Sequence, residues 1–239
     1  MASTFRSLSN PNYRIWFWGS AISNIGTWLQ RTAQDWLVIA ELSDKNAAAV
    51  GLVVFLQFAP QILLLPITGW TADRVDRRKL LFITQTLMAG LALLLGVLVI
   101  SGHVVLWQVC GCALALGCVA AFDAPARHAF VSDLVSEKAL SNAVGLNSVA
   151  FNSARLIGPS IAGVLIALVG SGWVFMINVL TFFPLLLGLF VLRSRLPKRT
   201  ADVSSNGPSM ARFLDGFRYI WQHREMAVIL FMSFLICSL

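Results

Sequence analysis

The chain has 239 residues, of which 57% are hydrophobic and only 12% charged, with a mean hydropathy of +0.76. Soluble domains carry about 25% charge, so a water-soluble globular fold is excluded and a membrane protein remains. The net charge of +7 sits between apolar runs rather than on one hydrophilic face. That excludes a nucleic-acid surface and assigns the basic excess to topology against anionic lipid headgroups.

The polar amino terminus, Met1 to Arg14, leads into an apolar run too long for a signal-peptide core, so a retained first span is expected. A helix needs about 20 apolar residues to cross the hydrocarbon core. Six stretches qualify: Ile15–Ala40, Ala47–Gly69, Leu80–Ser101, Val104–Phe122, Asn142–Val169 and Trp173–Leu192. Another run starts near Met226 and reaches Leu239 without the length to span. Basic residues alternate with these stretches. Arg6 and Arg14 precede the first, Arg74, Arg77, Arg78 and Lys79 follow the second, Arg127 and Lys138 follow the fourth, and Arg193, Arg195, Lys198 and Arg199 follow the sixth. The loops of opposite parity hold only Lys45. The positive-inside rule then places the amino terminus and the segment after the sixth span in the cytoplasm, giving a multi-pass cell-membrane protein, of the inner membrane in a bacterium. Trp16, Trp18 and Trp70 fall at inner ends, Trp36, Trp107 and Trp173 at outer ends, as an aromatic belt requires.

Three segments follow: a six-span bundle over 1–193, a cytoplasmic linker with an amphipathic helix over 194–225, and the start of a truncated seventh span over 226–239. In the second, Met210, Phe213, Leu214, Phe217, Ile220 and Trp221 recur at helical spacing, fitting a helix on the inner membrane face or packed against a soluble domain. Cys110, Cys112, Cys118 and Cys237 all lie in apolar segments and match no zinc or redox spacing.

The third and sixth spans carry no charge and are expected to face lipid. The first places Ser20, Asn24, Thr27, Arg31, Gln34 and Asp35 on one face, and the fifth does the same with Gly145, Ser148, Asn152, Arg155, Pro159, Ala162 and Gly163. Mid-helix Trp28 reads as packing or cavity lining. Charge at membrane depth costs about 3 kcal/mol or more per residue, so it is kept where it faces protein or water. Arg31, Asp35 and Arg155 therefore point inward. Either Arg31 and Asp35 neutralise each other, or at least one of the three serves a substrate or a proton.

The stretch Gly69-Trp-Thr-Ala-Asp73-Arg74-Val-Asp76-Arg77-Arg78-Lys79 resembles the signature loop G-x-x-x-D-R-x-G-R-R/K of major facilitator superfamily transporters. Gly69, Asp73, Arg74, Arg77 and Arg78 match, and Asp76 stands where the family has glycine. Within span five, Ala154-Arg155-Leu-Ile-Gly158-Pro159-Ser-Ile-Ala162-Gly163 is similar to the family's antiporter motif G-x-x-x-G-P-x-x-G-G, with alanine for glycine at Ala154 and Ala162. Gly26-Thr-Trp-Leu-Gln30-Arg31-Thr-Ala-Gln34-Asp35-Trp36 and Asp123-Ala-Pro125-Ala-Arg127 resemble the drug and siderophore exporter branch that includes enterobactin exporters.

The resemblance implies an all-α membrane fold: the six-helix amino-terminal bundle of a major facilitator transporter, built as two inverted three-helix repeats, plus a truncated seventh helix. It implies secondary active, proton-coupled efflux of small amphipathic molecules such as drugs or siderophores by alternating access. Asn24, Arg31, Asp35 and Arg155 would line the substrate and proton pathway. Gly69, Asp73, Arg74, Arg77, Arg78, Asp123 and Arg127 would gate it, Arg77 reaching Asp123. Gly158, Pro159 and Gly163 would pack and bend the helix. The partners are lipid, a small-molecule substrate and the carboxy-terminal half that complete members possess; no nucleic acid, metal or cofactor is expected, the proton gradient supplying the energy. The alternative is a truncated half-transporter that does not transport, or an interaction module needing a second half. No Walker loop and no H-E-x-x-H occurs, so an enzyme is not expected.

Overall fold

Lipid offers the backbone no hydrogen-bond partner, so a chain this apolar must satisfy its amides within helices. The computed structural model describes residues 5–195, with side chains described to residue 192 apart from Trp70 and Asp73. They form α1 (Pro11–Trp36), α2 (Ala47–Leu63), α3 (Leu65–Arg74), α4 (Arg77–Ile100), α5 (Leu106–Leu134), α6 (Glu137–Val169) and α7 (Ser171–Arg195), with no strand among the described residues. The expected amphipathic helix, the seventh run and Cys237 lie outside the described residues.

Four helices, α4 to α7, are long and apolar enough to cross a membrane by themselves. Helix α1 misses that threshold because a whole face is polar; it starts at Asn10, whose side chain caps it by accepting from the amides of Asn12 and Tyr13. It continues past Trp36 as a π-helical stretch, Leu37–Leu42. The expected second span is divided: α2 ends at Leu63, Leu64 breaks the run, and α3 carries Pro66 in its first turn. Proline has no amide hydrogen and disfavours helical backbone before it, which places the break.

At two places helix runs on past the charge at which an apolar stretch stops. The fourth stretch stops at Phe122, and α5 runs on through Pro125 to Leu134, with α6 beginning at Glu137. The basic stretch Gly69–Lys79 is likewise mostly helical, leaving only Val75 and Asp76 between α3 and α4. Apolar runs stop where charge begins, but a helix continues wherever those charges find partners in the protein. Asp76 also explains itself: at φ −56° it needs no glycine, and its carboxylate caps α4 by accepting from the amides of Arg78 at 3.0 Å and Lys79 at 3.3 Å.

Helix α1 packs chiefly on α6 and α7, α5 on α2 and α4, and α4 on α7. The core has three apolar tiers. One end is built by Tyr13, Trp16, Leu81, Phe130, Leu185 and Leu189, the other by Leu29, Leu37, Val53, Leu95, Val109 and Phe175, and a small middle tier by Met88, Leu116 and Phe182. The amino-terminal segment is tied to the α5–α6 corner by Ser7 N–H donating to Asn142 Oδ1 at 3.0 Å and Asn10 Nδ2 to the Leu134 carbonyl at 2.8 Å.

Trp16 is not a belt residue: it is 1% exposed and packs edge-on to Phe130 at 5.0 Å. Trp18, Trp36, Trp107 and Trp173 do present exposed rings. Helices α4 and α7 expose Phe82, Leu87, Val97, Leu180, Leu187 and Phe190, yet each also buries a face, so the expectation that they face lipid holds for one side only. The stripe that α6 buries is Ala143, Leu146, Ala154, Gly158 and Ala162, beside the polar face rather than on it. Ala162 therefore belongs to the packing seam.

Candidate functional site

A cavity of about 440 Å³ opens between α1, α2, α5 and α6. Helix α1 contributes Ser20, Asn24, Thr27, Trp28 and Arg31, a set advancing by three or four residues as a helix face must. Helix α6 supplies Ser148, Phe151, Asn152 and Arg155, α2 supplies Phe58 and Gln61, and α5 supplies Asp123 and Arg127. Several of these polar side chains are held by their own helix. Thr27 Oγ1 donates to the Ser23 carbonyl at 2.9 Å and Asn152 Nδ2 to the Ser148 carbonyl at 2.8 Å.

At one end of the cavity the helices are joined by a closed polar ring. Arg127 pairs with Asp123 one turn earlier on α5 and donates to Ser20 Oγ at 2.8 Å and Ser23 Oγ at 3.3 Å. Ser23 Oγ donates to Gln85 Oε1 at 3.0 Å, and Gln85 Nε2 returns to Asp123 Oδ1 at 2.7 Å, where Thr84 Oγ1 also donates at 2.6 Å. Asp123 is only 4% exposed, so this ring supplies the counter-charge and hydrogen bonds that a buried carboxylate requires. It ties α1, α4 and α5 together. Thr84, Gln85 and Ser23 were missed in the sequence; a Thr-Gln pair inside an otherwise apolar span was the available signal.

At the other end, aromatic rings hold the cations. The Arg31 guanidinium lies 5.0 Å from the Trp28 ring centroid and 4.7 Å from that of Phe58, and Arg155 lies 5.4 Å from the same Trp28 ring. Phe151 meets Trp28 edge-on at 6.1 Å. Of the two alternatives for Arg31 and Asp35, no direct hydrogen-bonded pair is formed, Arg31 Nε and Asp35 Oδ1 both being buried without a hydrogen-bond partner, although the two charges still act on each other through space. Asp35 is not among the residues that line the cavity with Asn24, Arg31 and Arg155.

The expected reach of Arg77 to Asp123 is corrected. Arg77 Nη1 donates to Asp133 Oδ1 at 3.0 Å and to the Ala129 carbonyl at 3.1 Å. The physical reason is the length of α5: its extension past Pro125 carries Asp133 level with the start of α4, while Asp123 lies deeper and is already saturated. Arg78 pairs with Asp76 at 3.7 Å. Arg74 closes α3, and the side chain of Asp73 lies outside the described residues. The glycines divide. A Cβ on Gly158 would meet Trp28 Cβ at 2.6 Å, whereas one on Gly69 or Gly163 would meet nothing within 4 Å among the described residues. Close helix approach is therefore seen at Gly158 and not at the other two. Pro159 lies inside α6 next to that seam. Among the described residues no three His, Cys, Asp or Glu side chains gather as metal ligands.

The Arg77–Asp133 pair makes a direct test. Their side chains are 17% and 24% exposed, so Arg77→Asp is expected to lower stability by about 1 kcal/mol. Adding Asp133→Arg should restore the unfolding midpoint in detergent, and adding Asp123→Arg should not. Rescue by Asp123→Arg would reassign the partner.

The family model for transmembrane secretion effectors (MFS_3) matches residues 2–238. The chain belongs to that family of major facilitator transporters. It is a multi-pass membrane protein and not an enzyme. It is 29% identical to the staphyloferrin A transporter of Staphylococcus aureus over 90% of this chain and 54% of that protein. It is 31% identical to the MFS-type transporter YfiS of Bacillus subtilis over 72% of this chain and 40% of that one. The figures for macrolide efflux protein A of Streptococcus pyogenes are 24%, 91% and 53%. The chain spans about half the length of the curated relatives it matches.

Proposed function

We propose that this chain forms the amino-terminal six-helix bundle of a secondary active exporter that moves small amphipathic molecules by alternating access. The observation that carries the reading is the cavity itself: aromatic and charged side chains from α1, α2, α5 and α6 converge on one space between helices that belong in lipid. Ionisable groups are kept at such depth where they face a substrate or ion path. The packing supports two three-helix repeats, because α1 with α6 and α7 mirrors α5 with α2 and α4, and α4 and α7 exchange with each other. The names of the staphyloferrin A transporter and of macrolide efflux protein A support small-molecule export.

In this reading the amino terminus is cytoplasmic, the Arg77–Asp133 and Asp123–Arg127 pairs lie at the inner end, and the coupling ion is the proton. Asp35 is its carrier, since its Oδ1 is buried without a donor. The test is uptake of a panel of fluorescent anionic, neutral and cationic amphiphiles into everted membrane vesicles containing this chain together with a carboxy-terminal family half. Uptake should collapse when an ionophore dissipates the pH gradient. Asp35→Asn should retain binding while losing the dependence on the gradient. Gradient-driven flux unchanged in Asp35→Asn would sink the coupling assignment, and no flux for any compound would sink the exporter reading.

A further inference from the structure

Resting on that reading, we infer that the cavity selects organic anions, with Arg31 and Arg155 as the carboxylate-binding pair and the Trp28, Phe58 and Phe151 rings as the platform for the apolar body. The charge balance of the wall carries the argument. Arg31, Arg127 and Arg155 line the cavity, and Asp123 is the one carboxylate among the described lining residues. That carboxylate is consumed: one oxygen takes Thr84 and Gln85, the other Arg127. Arg127 is thereby neutralised. Arg155 has no acid within ion-pair distance among the described residues, and Arg31 has only Asp35, one turn on, which acts on it through space without forming an ion pair and does not line the cavity.

The manner in which these two cations are held matters as much as their number. Both contact the Trp28 ring, and Arg31 contacts Phe58 as well. Such contacts draw on the charge of the guanidinium and engage none of its N–H donors in a hydrogen bond to the protein. Arg31 Nε is itself buried without an acceptor, so the donors that Arg31 offers to the cavity it lines are its terminal Nη atoms, and a planar guanidinium fits a carboxylate in two parallel hydrogen bonds. The rings fix the forks in advance, which reduces what binding must order. A cationic amphiphile meets the same two charges as repulsion, so the wall discriminates by sign before it discriminates by shape.

The probes are three naphthalenes of the same body and opposite character: 1-naphthaleneacetate, 1-naphthaleneacetamide and 1-naphthylmethylammonium. Binding is measured at pH 7 by equilibrium dialysis to the 239-residue chain in nanodiscs of zwitterionic phosphatidylcholine, so that no anionic headgroup competes. The acetate should bind tightest, about 30-fold better than the amide, with the ammonium weakest. Arg31→Gln and Arg155→Gln should each weaken acetate binding about tenfold and leave amide binding within about twofold. Arg31→Lys, which keeps the charge and the stem but loses the fork, should fall between wild type and Arg31→Gln and guards against a folding defect. Equal binding of all three probes, or an acetate-to-amide ratio unchanged in the Gln variants, overturns the anion selectivity alone. Binding of none of them overturns both this inference and the small-molecule reading beneath it.

Discussion

Asp123→Ala is expected to lower stability by about 3–5 kcal/mol, the cost of leaving a buried partner charge uncompensated. Asp123 is 4% exposed, and three donors from α4 and α5 converge on it. Removing the carboxylate strands the Arg127 guanidinium and frees Gln85 inside the protein, where unsatisfied donors are expensive, while Thr84 keeps the Leu81 carbonyl at 3.1 Å. Asp123→Asn should do less damage. Its carbonyl oxygen can still accept from Thr84 and Gln85, but its amide then faces Arg127. The double change Asp123→Leu with Arg127→Met should recover the part of the loss due to the stranded charge, because a buried pair replaced by apolar side chains of similar volume is close to neutral, while Gln85 stays without its acceptor. The measurement is denaturant-induced unfolding in detergent micelles. An Asp123→Ala chain as stable as wild type, or a double variant no better than the single one, would show that the ring holds nothing together.

The same ring marks where the sequence stops being legible. The apolar runs announced helices, because lipid leaves the backbone no alternative. The polar face of α1 was readable too, since Ser20, Asn24, Thr27 and Arg31 recur at helical spacing and do line the cavity. Which charge meets which was not readable. Asp123 and Asp133 both lie on α5, and only the continuation of that helix through Pro125 decides that Arg77 meets Asp133. Trp16 failed in the same way: its position at a span end fits a belt, but its direction depends on α5 presenting Phe130 to it. Asp35 follows Arg31 by one turn on the same face of α1 and yet is not among the cavity-lining residues, because periodicity does not say how far along a helix a cavity extends. Periodicity fixes a face. The neighbour that covers it is set by packing between helices distant in the chain.

Small residues carry that lesson to a second large effect. Gly158 and Gly163 stand five positions apart on α6 within one motif, and the same substitution should act oppositely on them. A Cβ at Gly158 would lie 2.6 Å from Trp28 Cβ, 3.1 Å from the Ile25 carbonyl oxygen and 3.1 Å from the Leu29 nitrogen. All three are fixed to the α1 backbone, so no rotamer relieves the clash and α6 must move off α1. Gly158→Ala should therefore cost about 1–3 kcal/mol, and Gly158→Val more, as overpacking of a close seam does. At Gly163 an added Cβ meets nothing within 4 Å among the described residues. Gly163→Ala should be neutral or stabilising by up to about 1 kcal/mol, the gain of alanine over glycine inside a helix. The displacement also reaches the site, because Trp28 is the residue struck at Gly158 and the ring on which Arg31 and Arg155 rest. Gly158→Val should thus weaken 1-naphthaleneacetate binding along with stability, while Gly163→Ala leaves both intact. Unfolding midpoints and dialysis on the two variants decide it: equal damage at both glycines would mean that the seam between α1 and α6 does not shape the cavity.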